Sequence, residues 1–275
     1  MIALLHSFNP QSVLFSAGSL TVYWYGFLIV LGIISALLIS LSLAKKYGLT
    51  TNLVFDLSFW LIIWGLLGAR IYEIFLMFPY YLSNPGQMIK VWEGGLAIHG
   101  AIIGGLLVIL TFSRRHKLSF WQLSSLFVPG IAIGQAVGRW GNYFNQELFG
   151  LPTKLPWGIP ISPINRPADY ILETHFHPTF LYESLGCLFL AILIIVFNAW
   201  AIKKNHLNDR FYLWSTSLYV ILYSSLRFGL EFIRLDETPI ILGWRWPQLA
   251  SLLIIVGASI LIILKENGLQ KNSKK

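Results

Sequence analysis

The chain has 275 residues, 56% of them hydrophobic and 12% charged, with a mean hydropathy of +0.65. Soluble domains carry roughly 25% charged residues, so this composition excludes most soluble classes together with disordered, collagen-like and disulfide-scaffold chains. A net charge of +8 would suggest nucleic acid in a soluble protein, but here the basic residues punctuate apolar runs, which is how membrane topology is written. The chain reads as an integral membrane protein with no nucleic-acid partner.

A spanning helix needs about 20 largely apolar residues. The first 19 residues contain Pro10 and Gly18 and carry neither a basic leader nor a small-residue cleavage site, so they read as an amphipathic or irregular lead-in. Seven apolar stretches follow, at about 20–44, 53–78, 96–113, 120–142, 179–202, 211–234 and 247–264. Cys187, in the run GCLFLAILIIV of the fifth, reads as a small buried hydrophobe. Residues of about 143–178 hold six prolines, at 152, 156, 160, 163, 167 and 178, and predict a compact non-helical head. Lys45, Lys46, Arg114, Arg115, Lys117, Lys203, Lys204, Arg210, Lys265, Lys271, Lys274 and Lys275, 12 of the 20 basic residues, share one set of alternate loops. Lys90, Lys154, Arg166, Arg234 and Arg245 are spread over the other set. Positive residues collect on the cytoplasmic side, which predicts the N-terminus outside, the C-terminus inside and the head on the outer face. The predicted fold is all-α, an integral membrane protein of about seven transmembrane helices with an irregular outer-face head, residues 1–275 making a single polytopic membrane domain.

Arg70, Arg139 and Arg227 remain, within or at the ends of the predicted helices. An arginine at the centre of a spanning helix costs about 2.5–3.5 kcal/mol on insertion scales, so it faces a partner or a water-filled cavity. Arg70 stands three residues from Glu73 on one helix face and is open to either a functional or an ion-pair reading. In YSSLRFGLEFIR, residues Tyr223, Arg227, Glu231 and Arg234 lie at offsets of four, eight and eleven, one helical face. A guanidinium fork suits bidentate recognition of phosphate, and an anionic headgroup is the obvious ligand inside a membrane. In GQAVGRWGNYFNQELFG, glycines bracket Arg139, Asn142, Asn145 and Glu147, where glycine permits close approach and the amides supply both donors and acceptors. His99 lies between glycines in WEGGLAIHGAIIGG, where an imidazole can serve as base or donor. His175 and His177 have a metal-ligand spacing but no convincing third or fourth ligand, so no metal is expected. His177 with Pro178 looks instead like the entry to the fifth helix, with Tyr182 and Glu183 near the interface.

Several strings together resemble one family, the prolipoprotein diacylglyceryl transferases of bacterial inner membranes. The family signature G-R-x-[GA]-N-F-x-N-x-E-x-x-G is met by Gly138 to Gly150, with Tyr143 in place of the usual Phe the single departure. His99 and Gly100, the HPTFLYE run from His177 to Glu183, Tyr25 with Gly26 and the Tyr223-to-Arg234 stripe add to the likeness, which covers about residues 20–264. Ala101, where a second glycine commonly follows the histidine, and Phe180, where Gln is common, are smaller departures. The resemblance implies transfer of the sn-1,2-diacylglyceryl group of phosphatidylglycerol to the lipobox cysteine thiol of a prolipoprotein, forming a thioether and releasing glycerol 1-phosphate. It implies Arg139 and Arg227 stabilising the departing phosphate, and Asn142, Asn145, Glu147 and Gly150 holding the headgroup. Glu231 would orient Arg227, Arg234 would join the lipid site, and Tyr25 and Tyr223 would position substrate. His99 is the family's candidate base, although an arginine field lowering the thiol pKa, ordinarily about 8.5, is an alternative. No cofactor is implied, and no phosphate-binding glycine loop stands in the right context.

Overall fold

An apolar slab offers backbone N–H and C=O groups no water, so long apolar runs satisfy them internally as helices. The computed structural model describes residues 2–18 and 20–272, with side chains for 5–18 and 20–267; of the basic residues assigned to the inner side, Lys274 and Lys275 lie outside the described residues. The order is α1 (Ile2–Ser7), β1 (Val13–Ala17), β2 (Leu20–Tyr23), α2 (Trp24–Ala44), α3 (Thr51–Leu76), α4 (Phe78–Ser83), α5 (Ile98–His116), α6 (Phe120–Asn145), β3 (Ile159–Pro160), β4 (His175–Phe176), α7 (Thr179–Lys203), α8 (Asp209–Leu230), β5 (Ile240–Ile241), β6 (Trp244–Arg245) and α9 (Trp246–Asn272). Each expected apolar stretch is a helix. Among the described residues, α2, α3, α5, α6, α7 and α9 are long and apolar enough to cross a membrane. The remaining long helix, α8, is more polar along its length and carries Tyr219, Tyr223 and Arg227 toward buried partners. The exposed surface of the others is apolar, as lipid requires: Leu38, Phe75, Val196 and Leu253 are all more than 60% exposed.

Two boundaries differ from expectation for local reasons. Residues 20–23 do not open the first helix. Leu-Thr-Val-Tyr is β-prone, and Gly18 turns it back at φ +60° so that β2 pairs antiparallel with β1. At the other end, α8 stops at Leu230, not 234. Glu231 caps the helix, its N–H reaching the Arg227 carbonyl at 3.1 Å, and Arg234 lies beyond, in an antiparallel bridge with Gly150.

The chain divides into two compact units, Ser40–Leu126 and the remainder, Met1–Ile39 with Phe127–Lys275. In the Ser40–Leu126 unit, α3 and α5 meet backbone to backbone. A Cβ on Gly100 would lie 2.1 Å from the Gly68 carbonyl oxygen, and one on Gly104 would lie 2.2 Å from that of Trp64. Two glycines four apart on α5 thus let the backbones touch. Arg70 on α3 is buried, and its five N–H groups all meet backbone carbonyls: Nε that of Met88 at 3.0 Å, Nη1 those of Gly94 at 2.6 Å and Gly95 at 2.7 Å, Nη2 those of Lys90 at 3.3 Å and of Gln87. Its guanidinium also lies 5.1 Å from the Tyr81 ring centre. Arg70 therefore folds the 87–95 segment that leads into α5, and its partners are carbonyls, not Glu73.

In the other unit, α2 and α6 cross at small residues. A Cβ on Gly130 would lie 2.7 Å from the Ala36 carbonyl oxygen, and one on Gly32 would lie 3.0 Å from that of Gly134. The head expected from the prolines is irregular apart from the β3–β4 pair. Its core is a cluster of Leu5, Tyr143, Phe149, Ile159, Ile161, Phe176 and Phe180, so α1 contributes to it. Overpacking a tight crossing costs about 1–3 kcal/mol. Gly100→Val is expected to lower the melting temperature in detergent, whereas Gly105→Val, where the nearest atom to a new Cβ is 3.8 Å away, leaves it close to that of the parent.

Candidate active site

Arginines in apolar helices need buried counterions, and one carboxylate answers several of them here. Glu183 sits in the second turn of α7, only 1% exposed. Its Oε1 meets Arg139 Nη2 at 2.8 Å and accepts from the Tyr223 hydroxyl at 3.0 Å. Its Oε2 accepts from Arg227 Nη1 at 3.2 Å and stands 3.8 Å from Arg234 Nη1. Glu183 thereby ties α6, α7 and α8 to the turn after α8. Close approach of α7 and α8 is set one turn further on, where a Cβ on Gly186 would fall 2.5 Å from Leu226 Cδ2.

A second carboxylate, Glu231, is fully buried. Its Oε2 accepts from Arg227 Nη2 at 3.1 Å and its Oε1 from Arg245 Nε at 2.9 Å. Asp236 Oδ1 completes the set, accepting from Arg234 Nε at 2.7 Å. Four guanidiniums thus face three buried or half-buried carboxylates. Arg139 also donates from Nη1 to Asn142 Oδ1 at 3.3 Å, and Asn142 Nδ2 donates to Glu147 Oε1 at 2.7 Å, which carries the cluster to an exposed carboxylate. Among the described residues, Nε of Arg139 and of Arg227 takes no protein partner, and these side chains are 23% and 18% exposed.

Tyr223 is positioned twice over. Its ring stacks on that of Tyr219 at 5.8 Å, and Tyr219 is itself held by a 2.8 Å bond to Gln135 Oε1. Cys187 is buried beside the same amide, its Sγ 3.9 Å from Gln135 Oε1. Tyr25 lies against Gly141, where a Cβ would come within 2.5 Å of its ring. Gly150 is a crossing point: its N–H bonds the His177 carbonyl at 2.9 Å, and a Cβ would strike the Ile233 carbonyl oxygen at 2.8 Å and His177 Cβ at 2.9 Å.

Of the residues singled out from the sequence, Arg139, Asn142, Glu147, Tyr223, Arg227, Glu231 and Arg234 form one bonded network. Asn145, half-buried, is the last residue of α6. His99 belongs to the Ser40–Leu126 unit, exposed in the first turn of α5 with its ring 5.7 Å from that of Tyr72. Sequence reasoning placed Glu183 at an interface, missed its hub role, and counted Arg245 as a loop charge; Asp236 it left unmentioned. An excess of arginines with few acids in the same stripe is the signal that points to carboxylates elsewhere. His177 Nδ1 lies 3.1 Å from the Tyr182 hydroxyl, which accepts from Trp157 Nε1 at 2.8 Å. His175 stacks on His6 at 4.1 Å.

The family model for prolipoprotein diacylglyceryl transferase matches residues 12–264. The chain belongs to the prolipoprotein diacylglyceryl transferase family. It is similar to the phosphatidylglycerol-prolipoprotein diacylglyceryl transferase of Synechococcus elongatus, 40% identical over 251 residues, or 90% of this chain and 84% of the relative. The enzyme of the same name from Synechocystis sp. is 40% identical over 272 residues, 96% and 92% of the two chains. That from Thermosynechococcus vestitus is 36% identical over 253 residues, 92% and 91%. As a member of this transferase family, the chain places its signature residues Arg139 and Asn142 on the last turns of α6, where a network from three helices converges.

Removing one partner of a buried ion pair costs about 3–5 kcal/mol, because the other charge stays behind. Glu183→Ala is expected to lose folded protein in detergent, and Glu183→Gln to melt below the parent, both read by thermal unfolding. For the head, burial pushes the His177 pKa below its ordinary 6.5. The folded state then favours the neutral ring, so this stability is present above the unfolded pKa and is lost as pH falls below it. The melting temperature should drop between about pH 7.5 and pH 5.5, around that ordinary value, and drop less in His177→Gln; an equal drop in both refutes the role.

Proposed function

We propose that this chain transfers the sn-1,2-diacylglyceryl group of phosphatidylglycerol to the lipobox cysteine thiol of bacterial prolipoproteins, the first step of lipoprotein maturation. The observation that carries the reading is the pair of guanidiniums of Arg139 and Arg227, fixed by the buried carboxylates of Glu183 and Glu231 while Nε of each stays free for a ligand. A lipid phosphodiester offers anionic oxygens to such donors, and guanidinium forks match them. Relatives from Synechococcus elongatus and Synechocystis sp. bear the name of this reaction.

In the reaction, the thiolate sulfur forms a bond to the glyceryl carbon while the bond from that carbon to the phosphate oxygen breaks. Glycerol 1-phosphate leaves with the electron pair. Negative charge grows on the departing phosphate, and preorganised cations at low dielectric stabilise such growth. Arg139 and Arg227 have this role, held in place by Glu183 before the lipid arrives. Asn142, Asn145 and Glu147 hold the glycerol headgroup, Arg234 supports the lipid site, and Tyr25 and Tyr223 position the substrate. Gly150 keeps the wall of the site close to the turn after α8. The thiol proton goes to His99, or to water where the arginine field lowers the thiol pKa. The protein sits in the bacterial inner membrane with its N-terminus and head outside and its C-terminus in the cytoplasm. That places the site on the face where secreted precursors emerge.

Purified protein with phosphatidylglycerol and a lipobox peptide should add a diacylglyceryl mass to the cysteine peptide and none to its serine variant. Absence of the adduct from folded protein overturns the reading. Arg139→Lys keeps the charge and loses the fork, so turnover should fall about 100-fold or more in protein that still folds. Near-parent turnover in that variant refutes bidentate recognition. In His99→Gln, activity close to the parent assigns the proton to the arginine field, and a large loss assigns it to His99.

A further inference from the structure

Arg245 lies outside every string that carries the family resemblance, on the two-residue strand β6 of a hairpin after α8. The structure brings it back to the ionic network from the far side. Its Nε donates to Glu231 Oε1 at 2.9 Å, while Arg227 Nη2 donates to Glu231 Oε2 at 3.1 Å. The last torsion of a glutamate is broad and roughly two-fold, so nothing intrinsic to Glu231 selects the orientation that meets Arg227. Bonding at both oxygens does. Arg245 is in turn fixed: Nη1 donates to the Arg234 carbonyl at 2.9 Å and Nη2 to the Asp236 carbonyl at 2.6 Å. Its backbone N–H donates to Gln248 Oε1 at 3.1 Å. Glu231, Phe232, Arg234, Trp244, Arg245 and Gln248 line an open cavity of about 340 Å³, so water is on hand to take Glu231 Oε1 if Arg245 is removed.

We propose that Arg245 is a positioning residue for the transfer reaction, holding Glu231 in the orientation that aims Arg227 at the lipid phosphate. It acts through Glu231 and does not touch the lipid. The proposal rests on the reading of Arg227 given above. It separates from a plain anchoring role for the hairpin by charge. A lysine at 245 can bond Glu231 with a cation but lacks the planar fork for the two carbonyls, whereas a glutamine can donate to a carbonyl and brings no charge.

The test uses the full protein in detergent with phosphatidylglycerol and a lipobox cysteine peptide. In Arg245→Gln, kcat should fall about tenfold or more, as expected for slight misplacement of a catalytic group, with the KM for phosphatidylglycerol within about twofold of the parent. Arg245→Lys should stay within about threefold of parent kcat, since the charge survives. Gln248→Ala, which frees the Arg245 backbone and leaves the guanidinium contacts, should match the parent. Equal losses in the lysine and glutamine variants, an equal loss in Gln248→Ala, or parent kcat in Arg245→Gln overturns the proposal. Arg245→Met replaces the glutamine variant if that does not fold, and failure of both neutral variants to fold assigns Arg245 to the fold alone and also overturns it. A parent protein that gives no adduct overturns the transferase reading, and the proposal with it.

Discussion

The cluster depends on a carboxylate with almost no access to water. Glu183 shares its two oxygens among Arg139, Arg227, Arg234 and Tyr223, and these come from α6, α8 and the turn beyond. Desolvating such groups is expensive, and replacing a buried ion pair by packed apolar residues is often neutral or stabilising. The network is thus a poor explanation of stability. It is a good explanation of register: a shift of α7 by one residue would turn Glu183 away, leave Arg139 without a carboxylate and take one of two from Arg227. The glycine contacts supply the close packing, and the charges decide which close packing is allowed.

The contrast between Arg70 and Arg139 separates an arginine whose donors are all taken from one that keeps a donor free. Both are arginines in long apolar helices. Arg70 has all five donors on the carbonyls of its own loop, so it has no hydrogen-bonding capacity for a ligand. Arg139 and Arg227 are held by carboxylates that bind only their terminal nitrogens, and Nε stays available. Electrostatic stabilisation of a transition state needs donors fixed before the charge develops. Glu183 and Glu231 do the fixing without consuming the donors.

Hydropathy made the helices legible, since lipid-facing residues must be apolar along a whole span. It also found the charged face of α8 and the chemistry around Arg139. What it missed follows from long-range pairing. Glu183 follows an aromatic-rich entry to α7, and nothing local in that string tells that its carboxylate reaches two other helices. Arg245 stands in a polar loop, where the bias of basic residues toward one side is the natural explanation of any arginine. The end of α8 was misplaced because Glu231 and Arg234 keep helical spacing while the chain leaves the helix. Strand β2 was hidden at the start of an apolar run whose first four residues suit either structure, and β1 in the lead-in before it.

The thirteen-residue signature from Gly138 to Gly150 serves two physical ends at once. Arg139, Asn142 and Glu147 present donors and acceptors in a chain of bonds. Gly141 and Gly150 present nothing, and their value is the absence of a Cβ: one lets Tyr25 lie against α6, the other lets the 150–151 backbone pair with both 177 and 233–234. A side chain at Gly150 would push the turn after α8 outward, and that turn carries Glu231 and Arg234. Displacing it would move Arg227's second partner without altering a single charge. Glycine at this position is therefore an electrostatic requirement expressed as a steric one.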